Sequence, residues 1–364
     1  MAPALSVLEA LPKNAEVLFI GRKYALEGDN ALSLEYRTIT SMRVSFVGLN
    51  TGRLQRKLTK YTVLSLLKLP FGMIKAFLLL CSFKPDVVVG FGGYVSIPVV
   101  ICACILRIPS VIHEQTMEIG LANRILSIFA SKICISWESS RKFFPPNKVV
   151  LTGNPMRKFS LIETKFSLFN NKRPAIYITG GSSGSHVINL LIEDVLAELL
   201  TKYNIVHQAG EAQEFHDFER LKQLKKSLPT SLRENYILQK LIEPSEIGDL
   251  LNSTSLVVSR AGIGTITELI HFEKPAVLIP LPFSQKNEQY KNAKFLEKVG
   301  LAIVLAQRNL TGKKLLKTID EAFSKIDKFK IDKEKCGVMC RRNASQNIIS
   351  VINYVSKNRK KKTP

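Results

Sequence analysis

At 364 residues the chain exceeds what one hydrophobic core usually organises, since single cores rarely grow far beyond about 250 residues, and two domains are expected. With 46% apolar residues, 23% charged residues and ordinary glycine and proline, the composition excludes a disordered or fibrous chain. The 52 Lys and Arg outnumber the 30 Asp and Glu for a net charge of +22, which calls for an anionic partner: nucleic acid, acidic lipid or a phosphorylated substrate.

The chain opens on a helical pattern in which Leu5, Leu8 and Leu11 share one face, and a strand at Val17 to Gly21 follows. Reading therefore starts part-way through a βαβ unit, with its first strand and glycine turn missing. From Arg53 to Lys84, basic residues (Arg53, Arg56, Lys57, Lys60, Lys68, Lys75) alternate with bulky apolar ones such as Leu64, Phe71, Ile74, Phe77 and Leu78. No span of about twenty residues there is free of charge or proline, so it does not cross a membrane. Two readings stand: an amphipathic segment lying on an anionic leaflet, or a buried helix with lysines at its rim.

Next comes the strand Asp86 to Gly90, the turn Phe91-Gly92-Gly93-Tyr94-Val95-Ser96 and an apolar helix to Leu106. Ser110 to Gln115 places His113 and Glu114 at the carboxyl end of another strand, where open α/β sheets bind ligands. A structural and a catalytic role are both open for His113. Strands at Ile133 to Ser136 and Val149 to Thr152 precede the turn Gly153-Asn154-Pro155-Met156-Arg157.

Residues 158–174 lack a pattern and read as a linker. The second half begins with the strand Ala175 to Thr179, the turn Gly180-Gly181-Ser182-Ser183-Gly184-Ser185 and a helix to Leu200. Strands at Ile205 to His207, Tyr236 to Leu238 and Leu256 to Val258 alternate with helices, including a solvated one at Phe215 to Lys226, and the chain ends in helices and a basic tail. The expected division is 1–157, linker 158–174, 175–340, and a C-terminal helix and tail 341–364. Six scattered cysteines, without a signal peptide or metal-ligand spacing, read as reduced and buried; Cys336 and Cys340, one turn apart without histidines, do not make a zinc site.

The densest chemistry lies between Ser259 and Asn292. A short strand is broken by Gly262 and Gly264 just before a helix, which aims free amides and the positive end of the helix dipole at one point suited to a phosphate. Glu268 then suits the hydroxyls of a ribose, although Thr265-x-x-Glu268 also fits a capping box. No Asp-x-Asp triplet is present to hold a divalent ion on a diphosphate, so neither metal nor cofactor is called for, and amides, hydroxyls, a helix dipole and an Arg would stabilise that charge.

Gly92-Gly93-Tyr94-Val95-Ser96, His113-Glu114-Gln115, Gly153-Asn154-Pro155-x-Arg157, Thr179-Gly180-Gly181-Ser182-x-Gly184, His207-Gln208-x-Gly210, the Arg260 to Glu268 turn and Gln289-x-x-Asn292-Ala293 stand in the order found in the MurG family. The chain resembles that family from Pro3 to about Thr311. The resemblance implies an α/β GT-B fold, two Rossmann-like domains facing across a cleft, here without the first strand and turn of the N-terminal domain. It implies inverting transfer of N-acetylglucosamine from UDP-N-acetylglucosamine to the 4-hydroxyl of the undecaprenyl-diphospho-N-acetylmuramoyl-pentapeptide called lipid I, giving lipid II for peptidoglycan synthesis. It further implies a peripheral enzyme at the anionic cytoplasmic face of the bacterial cell membrane, with no nucleic-acid partner. By matching motif, Glu268 would hold the ribose, Gly262, Gly264 and Thr265 would lie along the diphosphate, and Ile263, Ile266 and Thr267 would belong to the same substrate-binding turn. Arg157, Ser182 and Thr116 would also contact the donor, Ile242 would border the uracil, and Glu288, Gln289 and Asn292 would meet the sugar. The Gly92-Gly93-Tyr94 turn would take the acceptor diphosphate. Thr116 replaces the family's Asn, and Glu288 a neutral residue or His. The family's N-terminal His is absent, which leaves His113 and Glu114 as candidate bases. Competing readings are a 2-epimerase or glycolipid transferase of the same fold, or a donor-binding protein with little activity.

Overall fold

The computed structural model describes residues 2–24, 32–52, 60–156, 169–340 and 343–360. The chain divides into two compact units, Met1–Arg157 with Arg341–Pro364, and Lys158–Cys340.

In the first unit, helix α1 (Ala2–Ala10) precedes β1 (Leu18–Gly21), α2 (Leu34–Ser41), β2 (Ser45–Gly48), α3 (Lys60–Phe83), β3 (Val88–Gly90), α4 (Ser96–Ile105), β4 (Ser110–Glu114), α5 (Leu121–Phe129), β5 (Lys132–Ile135) and β6 (Val149–Leu151). Strands β1 and β2 form one parallel pair, and β3-β4-β5-β6 form a second parallel sheet. All five residues of β4 are buried, as expected of a strand covered on both faces. The α2 and β2 elements have no counterpart in the sequence reading, because four residues, Ser-Phe-Val-Gly, are too short a run to carry a period.

Helix α3 divides its apolar residues between two faces. Ala76 and Leu80 are buried in the core, whereas Phe71, Ile74 and Leu78 are 74%, 59% and 61% exposed. Positions 71, 74 and 78 fall on one helical stripe, so the outward face is itself apolar. No helix among the described residues is long and apolar enough to cross a membrane. Residues 53–59 of the basic stretch lie outside the described residues.

The last helix, which the sequence reading left as a separate segment, belongs to the first unit and follows the second unit in sequence. That second unit contains β7 (Ala175–Thr179), α6 (His186–Lys202), β8 (Asn204–Gln208), α7 (Asp217–Ser227), α8 (Thr230–Arg233), β9 (Tyr236–Gln239), α9 (Ile247–Ser253), β10 (Leu256–Ser259), α10 (Ile263–His271), β11 (Ala276–Leu278), α11 (Glu288–Lys298), β12 (Ala302–Val304), α12 (Gly312–Ser324) and α13 (Lys333–Cys336). Helix α14 (Ala344–Lys360) then packs Ile348, Ile352 and Val355 with Val7, Val111 and Cys134. Ser6 Oγ lies 2.6 Å from Ser345 Oγ, Asn347 Nδ2 donates to the Thr152 carbonyl at 3.1 Å, and Arg359 donates to the Pro85 carbonyl at 2.7 Å.

The second unit carries one parallel sheet in the order β12-β11-β10-β7-β8-β9. Helix α6 buries Ile188, Leu191, Ile192, Val195, Leu196 and Leu199, a three-and-four spacing that faces one stripe to this sheet. The cysteines depart from the expectation of six reduced, buried thiols. Cys81 and Cys104 are exposed, Cys102 and Cys134 are buried and free, and Cys336 is in a disulfide.

The turns after β7 and β8 touch backbone to backbone. A Cβ on Gly184, whose φ is +83°, would sit 2.1 Å from the Ala209 carbonyl oxygen, and one on Gly210, φ +95°, would sit 2.1 Å from Gly184 Cα. Gly181 shares the positive φ, at +89°, but a Cβ there meets nothing within 4 Å. Gly181→Ala should therefore cost only the left-handed penalty, about 1–2 kcal/mol, whereas Gly184→Ala should cost several times that or prevent folding. Chemical denaturation of both variants checks this. Equal losses would mean that the two turns do not touch in solution.

Candidate functional site

The sheet of the second unit reverses its order between β7 and β10. Sequentially later strands run outward from β7 through β8 to β9 on one side, and from β10 through β11 to β12 on the other. In open α/β sheets the crevice outside the carboxyl ends at such a reversal is the ligand site, because the two connections leave in opposite directions. Here that position lies between the Gly180 to Ser185 turn after β7 and the Arg260 to Gly262 turn after β10.

The two helices that start there differ. Ser185 caps α6, its Oγ accepting from Ile188 N at 3.4 Å. Helix α10 has Gly262 as its N-cap and no side-chain cap, and its first internal bond runs from Ile266 N to the Gly262 carbonyl at 3.0 Å. The amides of Ile263, Gly264 and Thr265 thus lack intrahelical acceptors. A Cβ on Gly262 or Gly264 would meet nothing within 4 Å, so space lies beside those amides. This is the local geometry of an anion site. The capping-box reading falls: Thr265 is the third residue of the helix and not its cap, which puts Glu268 too far along to reach back.

Glu268 has no hydrogen-bond or ion-pair partner among the described residues, and burial pushes its carboxyl up to about 7. The buried Tyr177 on β7 has its phenol raised, by burial first and further by the nearby Glu268 charge, against a hydrogen bond from Thr179 that lowers it. Arg260 is half-buried, donates from Nη1 to the Ile279 carbonyl at 3.0 Å and has no carboxylate partner among the described residues; burial lowers its pKa to about 10. A desolvated cation without a carboxylate partner among the described residues, on the turn that leads into the open amides, is the kind of group that a polyanion would pair. Arg260 stands inside the recognised motif, yet only its desolvation marks it as a site residue.

The remaining donor-side residues separate by burial. Ser182 is exposed on its turn. Ile242 is 5% exposed, and its N–H donates to Gln208 Oε1 at 2.9 Å. The side chains of Ile263, Ile266 and Thr267 are buried, and of their backbone amides only that of Ile263 lies in the unbonded first turn. Gln289 Oε1 accepts from Leu281 N at 3.0 Å, leaving Nε2 as a donor, and Glu288 opens α11 beside it. Asn292, expected at the sugar, has no side-chain exposure here, and its Nδ2 donates to the Ala261 carbonyl at 3.1 Å, a bond that holds the glycine turn.

In the first unit, Gly92 and Gly93 both have φ of +79° and open α4, with Ser96 Oγ donating to the Gly93 carbonyl at 2.7 Å and Tyr94 half-buried beside them. His113 is buried, its Nε2 3.1 Å from Ser136 Oγ and 3.4 Å from the Gly153 carbonyl; burial lowers its pKa to about 4, and it is neutral at neutral pH. Glu114 is buried too and accepts from Thr116 N at 3.1 Å, Thr116 Oγ1 at 2.7 Å, Gly120 N at 3.0 Å and Asn123 Nδ2 at 3.0 Å. Neither candidate base is open to a substrate, because each is enclosed by the loop that it organises. Thr116 lies with them in this unit, and Arg157 lies outside the described residues.

Residues 1–135 match the glycosyltransferase family 28 N-terminal domain and residues 175–349 the family 28 C-terminal domain. A Bacillus cereus protein named UDP-N-acetylglucosamine–N-acetylmuramyl-(pentapeptide) pyrophosphoryl-undecaprenol N-acetylglucosamine transferase 2 is 33% identical over 98% of this chain and 96% of its own length. The transferase of that name from Halalkalibacterium halodurans is 35% identical over 88% of this chain and 86% of its own. The chain belongs to the MurG family. The crystal structure of Acinetobacter baumannii MurG superposes with a TM-score of 0.66 at 24% identity, covering 97% of this chain and 95% of that one. A UDP-GlcNAc 2-epimerase from Neisseria meningitidis bound to UDP-GlcNAc gives 0.65 at 16% identity, covering 97% and 96%. These likenesses establish the GT-B fold that MurG shares with the epimerases.

For this MurG-family chain the unpartnered Glu268 has a thermodynamic signature. Folded and unliganded, the protein keeps Glu268 protonated to about pH 7, against 4.5 for the ordinary side chain. Its contribution to stability is therefore full below about pH 4.5 and is lost as pH rises through 7. Glu268→Gln should leave the melting temperature unchanged near pH 4.5 and raise stability by about 1 to 3 kcal/mol at pH 8. Calorimetric melts at the two pH values check it, and destabilisation at pH 8 would show that the carboxylate has a partner.

Proposed function

We propose that the chain transfers N-acetylglucosamine, with inversion, from UDP-N-acetylglucosamine to the 4-hydroxyl of undecaprenyl-diphospho-N-acetylmuramoyl-pentapeptide, the step that makes lipid II. The observation that carries this is the uncapped start of α10, with Arg260 and the unpartnered Glu268, at the strand-order reversal of a chain 33% identical to a transferase of that name. In this reading the α10 amides and Arg260 take the diphosphate, Glu268 accepts from the ribose hydroxyls, Ser182 touches the donor, Ile242 borders the uracil, and Gln289 and Glu288 meet the sugar. Negative charge grows on the β-phosphate as the anomeric bond breaks. Amides and a guanidinium fixed beforehand stabilise that charge without rearranging.

The first unit takes the acceptor, with its diphosphate at the Gly92-Gly93-Tyr94 turn. His113 and Glu114 serve there as positioning groups that shape the loops after β4, and neither is the base. Phe71, Ile74 and Leu78 on α3, set in a chain of +22, form the face that rests on anionic lipid at the cytoplasmic side of the membrane.

Glu268→Ala should weaken UDP binding by at least about tenfold in isothermal titration, the scale of a lost charge-assisted hydrogen-bonded pair. Undiminished affinity would remove Glu268 from the ribose. The unsubstituted protein, given UDP-N-acetylglucosamine and a lipid I analogue, should release UDP only when the acceptor is present; acceptor-free conversion of the sugar would favour an epimerase. A Phe71→Glu, Leu78→Glu variant should keep its melting temperature, since both positions are exposed, and lose sedimentation with phosphatidylglycerol vesicles. Retained sedimentation would move the membrane face elsewhere.

A further inference from the structure

Gln208 is the last residue of β8, buried to 4% exposure and given no role by the proposed reaction. Its side-chain amide meets two segments besides its own strand, the Thr179 to Gly181 turn and Ile242. Oε1 accepts from Ile242 N at 2.9 Å, and Nε2 donates to the Gly181 carbonyl at 2.9 Å and to Thr179 Oγ1 at 3.1 Å. Thr179 Oγ1 in turn accepts from Gly181 N at 2.9 Å, and the Tyr177 hydroxyl lies 3.5 Å from Gln208 Oε1. The orientation of the amide is forced. Flipping it would set an NH2 against the Ile242 N–H and an oxygen against the Gly181 carbonyl, two repulsive pairs in place of two bonds.

We infer that Gln208 is a positioning residue that locks the Ile242 backbone to the Gly181-Ser182 turn, so that the uracil side and the diphosphate side of the nucleotide are held at one fixed spacing. The inference rests on the donor-site reading above, in which Ile242 borders the uracil and Ser182 the phosphates. Its physical basis is a short rigid bridge: one planar amide joins the ends of β7 and β8 and the segment after β9. No side chain lacking both a donor and an acceptor at that spacing can replace it. Gly181, with φ of +89° and no neighbour within 4 Å of its missing Cβ, relies on bonds of this kind to stay in place. Preorganising the spacing removes an ordering cost that a nucleotide would otherwise meet on binding.

A residue that merely seals the end of the sheet would lower stability without discriminating between ligands. The discriminating measurement is the ratio of UDP to uridine affinity, taken by titration calorimetry on full-length protein at pH 8. Gln208→Met keeps the length of the side chain and removes both the acceptor for Ile242 N and the donor to the Gly181 carbonyl. It should cut that ratio by about tenfold or more. Thr179→Val removes the acceptor for Gly181 N while leaving Ile242 untouched; it should lower the same ratio in the same direction, and it decides the matter if the Gln208 variant does not fold. A folded variant with a lower melting temperature and an unaltered ratio overturns the inference. Native protein that binds neither uridine nor UDP overturns the donor-site reading instead.

Discussion

Close approach of two glycine turns underlies everything at the carboxyl edge of the second sheet. Parallel pairing sends all six strand ends to one side, and the β7 and β8 turns there must pass within a distance that no Cβ allows. A buried polar network holds them from below. Asn189 Nδ2 donates to the Ala209 carbonyl at 3.0 Å and to Asp217 Oδ2 at 2.8 Å, which leaves Asn189 Oδ1 to accept. His207 Nε2, 3.1 Å away, must therefore carry the proton, and its Nδ1 accepts from the Tyr236 hydroxyl at 2.9 Å. Burial lowers the His207 pKa to about 3, so this tautomer is neutral and its hydrogen bonds do not change across the physiological range.

On that fixed floor the protein keeps charges that it does not pair. Glu268 and Arg260 are both desolvated and belong to the same turn and helix, yet among the described residues no ion pair joins them to each other or to another group. Asn292 Oδ1 is buried beneath the same turn without a partner among the described residues. A fold shaped for stability alone would have neutralised these groups with apolar neighbours or matched them. Leaving them open lowers stability and raises the affinity of whatever ligand supplies the missing partners, which is the expected trade at a binding site.

Most of this architecture is legible in the chain because its requirements are local. Glycines at strand ends mark turns that need positive φ, and the apolar stripe of α6 repeats at helical spacing. Direction and distance were harder to read. Gln289 and Asn292, three apart on α11, share a face by spacing, but the helix starts from two left-handed residues, Lys286 and Asn287, at an angle that buries Asn292 completely. His113 and Glu114 sit at a strand end, as a ligand-binding pair would. Their partners come from residues 116, 120, 123, 136 and 153, a set that only the folded chain assembles. On α14 the stripe Ile348, Ile352 and Val355 marks a buried face by its spacing, but not that Val7 of α1 covers it, since partners such as Ser6 and Ser345 are far apart in sequence.

In the membrane-facing role proposed for α3, its apolar stripe and the net charge of the chain would each supply a modest attraction to a bilayer. Three partly inserted side chains such as Phe71, Ile74 and Leu78 contribute a few kcal/mol at about 25 cal/mol per Å2 of buried apolar surface. A basic residue near an anionic leaflet adds about 1 kcal/mol, and that part fades beyond a Debye length of roughly 8 Å at physiological salt. Lys75, on the same helix, is held by a 2.8 Å bond from Nζ to the Gly48 carbonyl, which restrains where its charge is displayed. Neither term alone gives lasting attachment, and no described helix can span a bilayer. In that proposed role their sum would favour reversible docking, which suits a protein whose proposed donor is soluble and whose proposed acceptor stays in lipid.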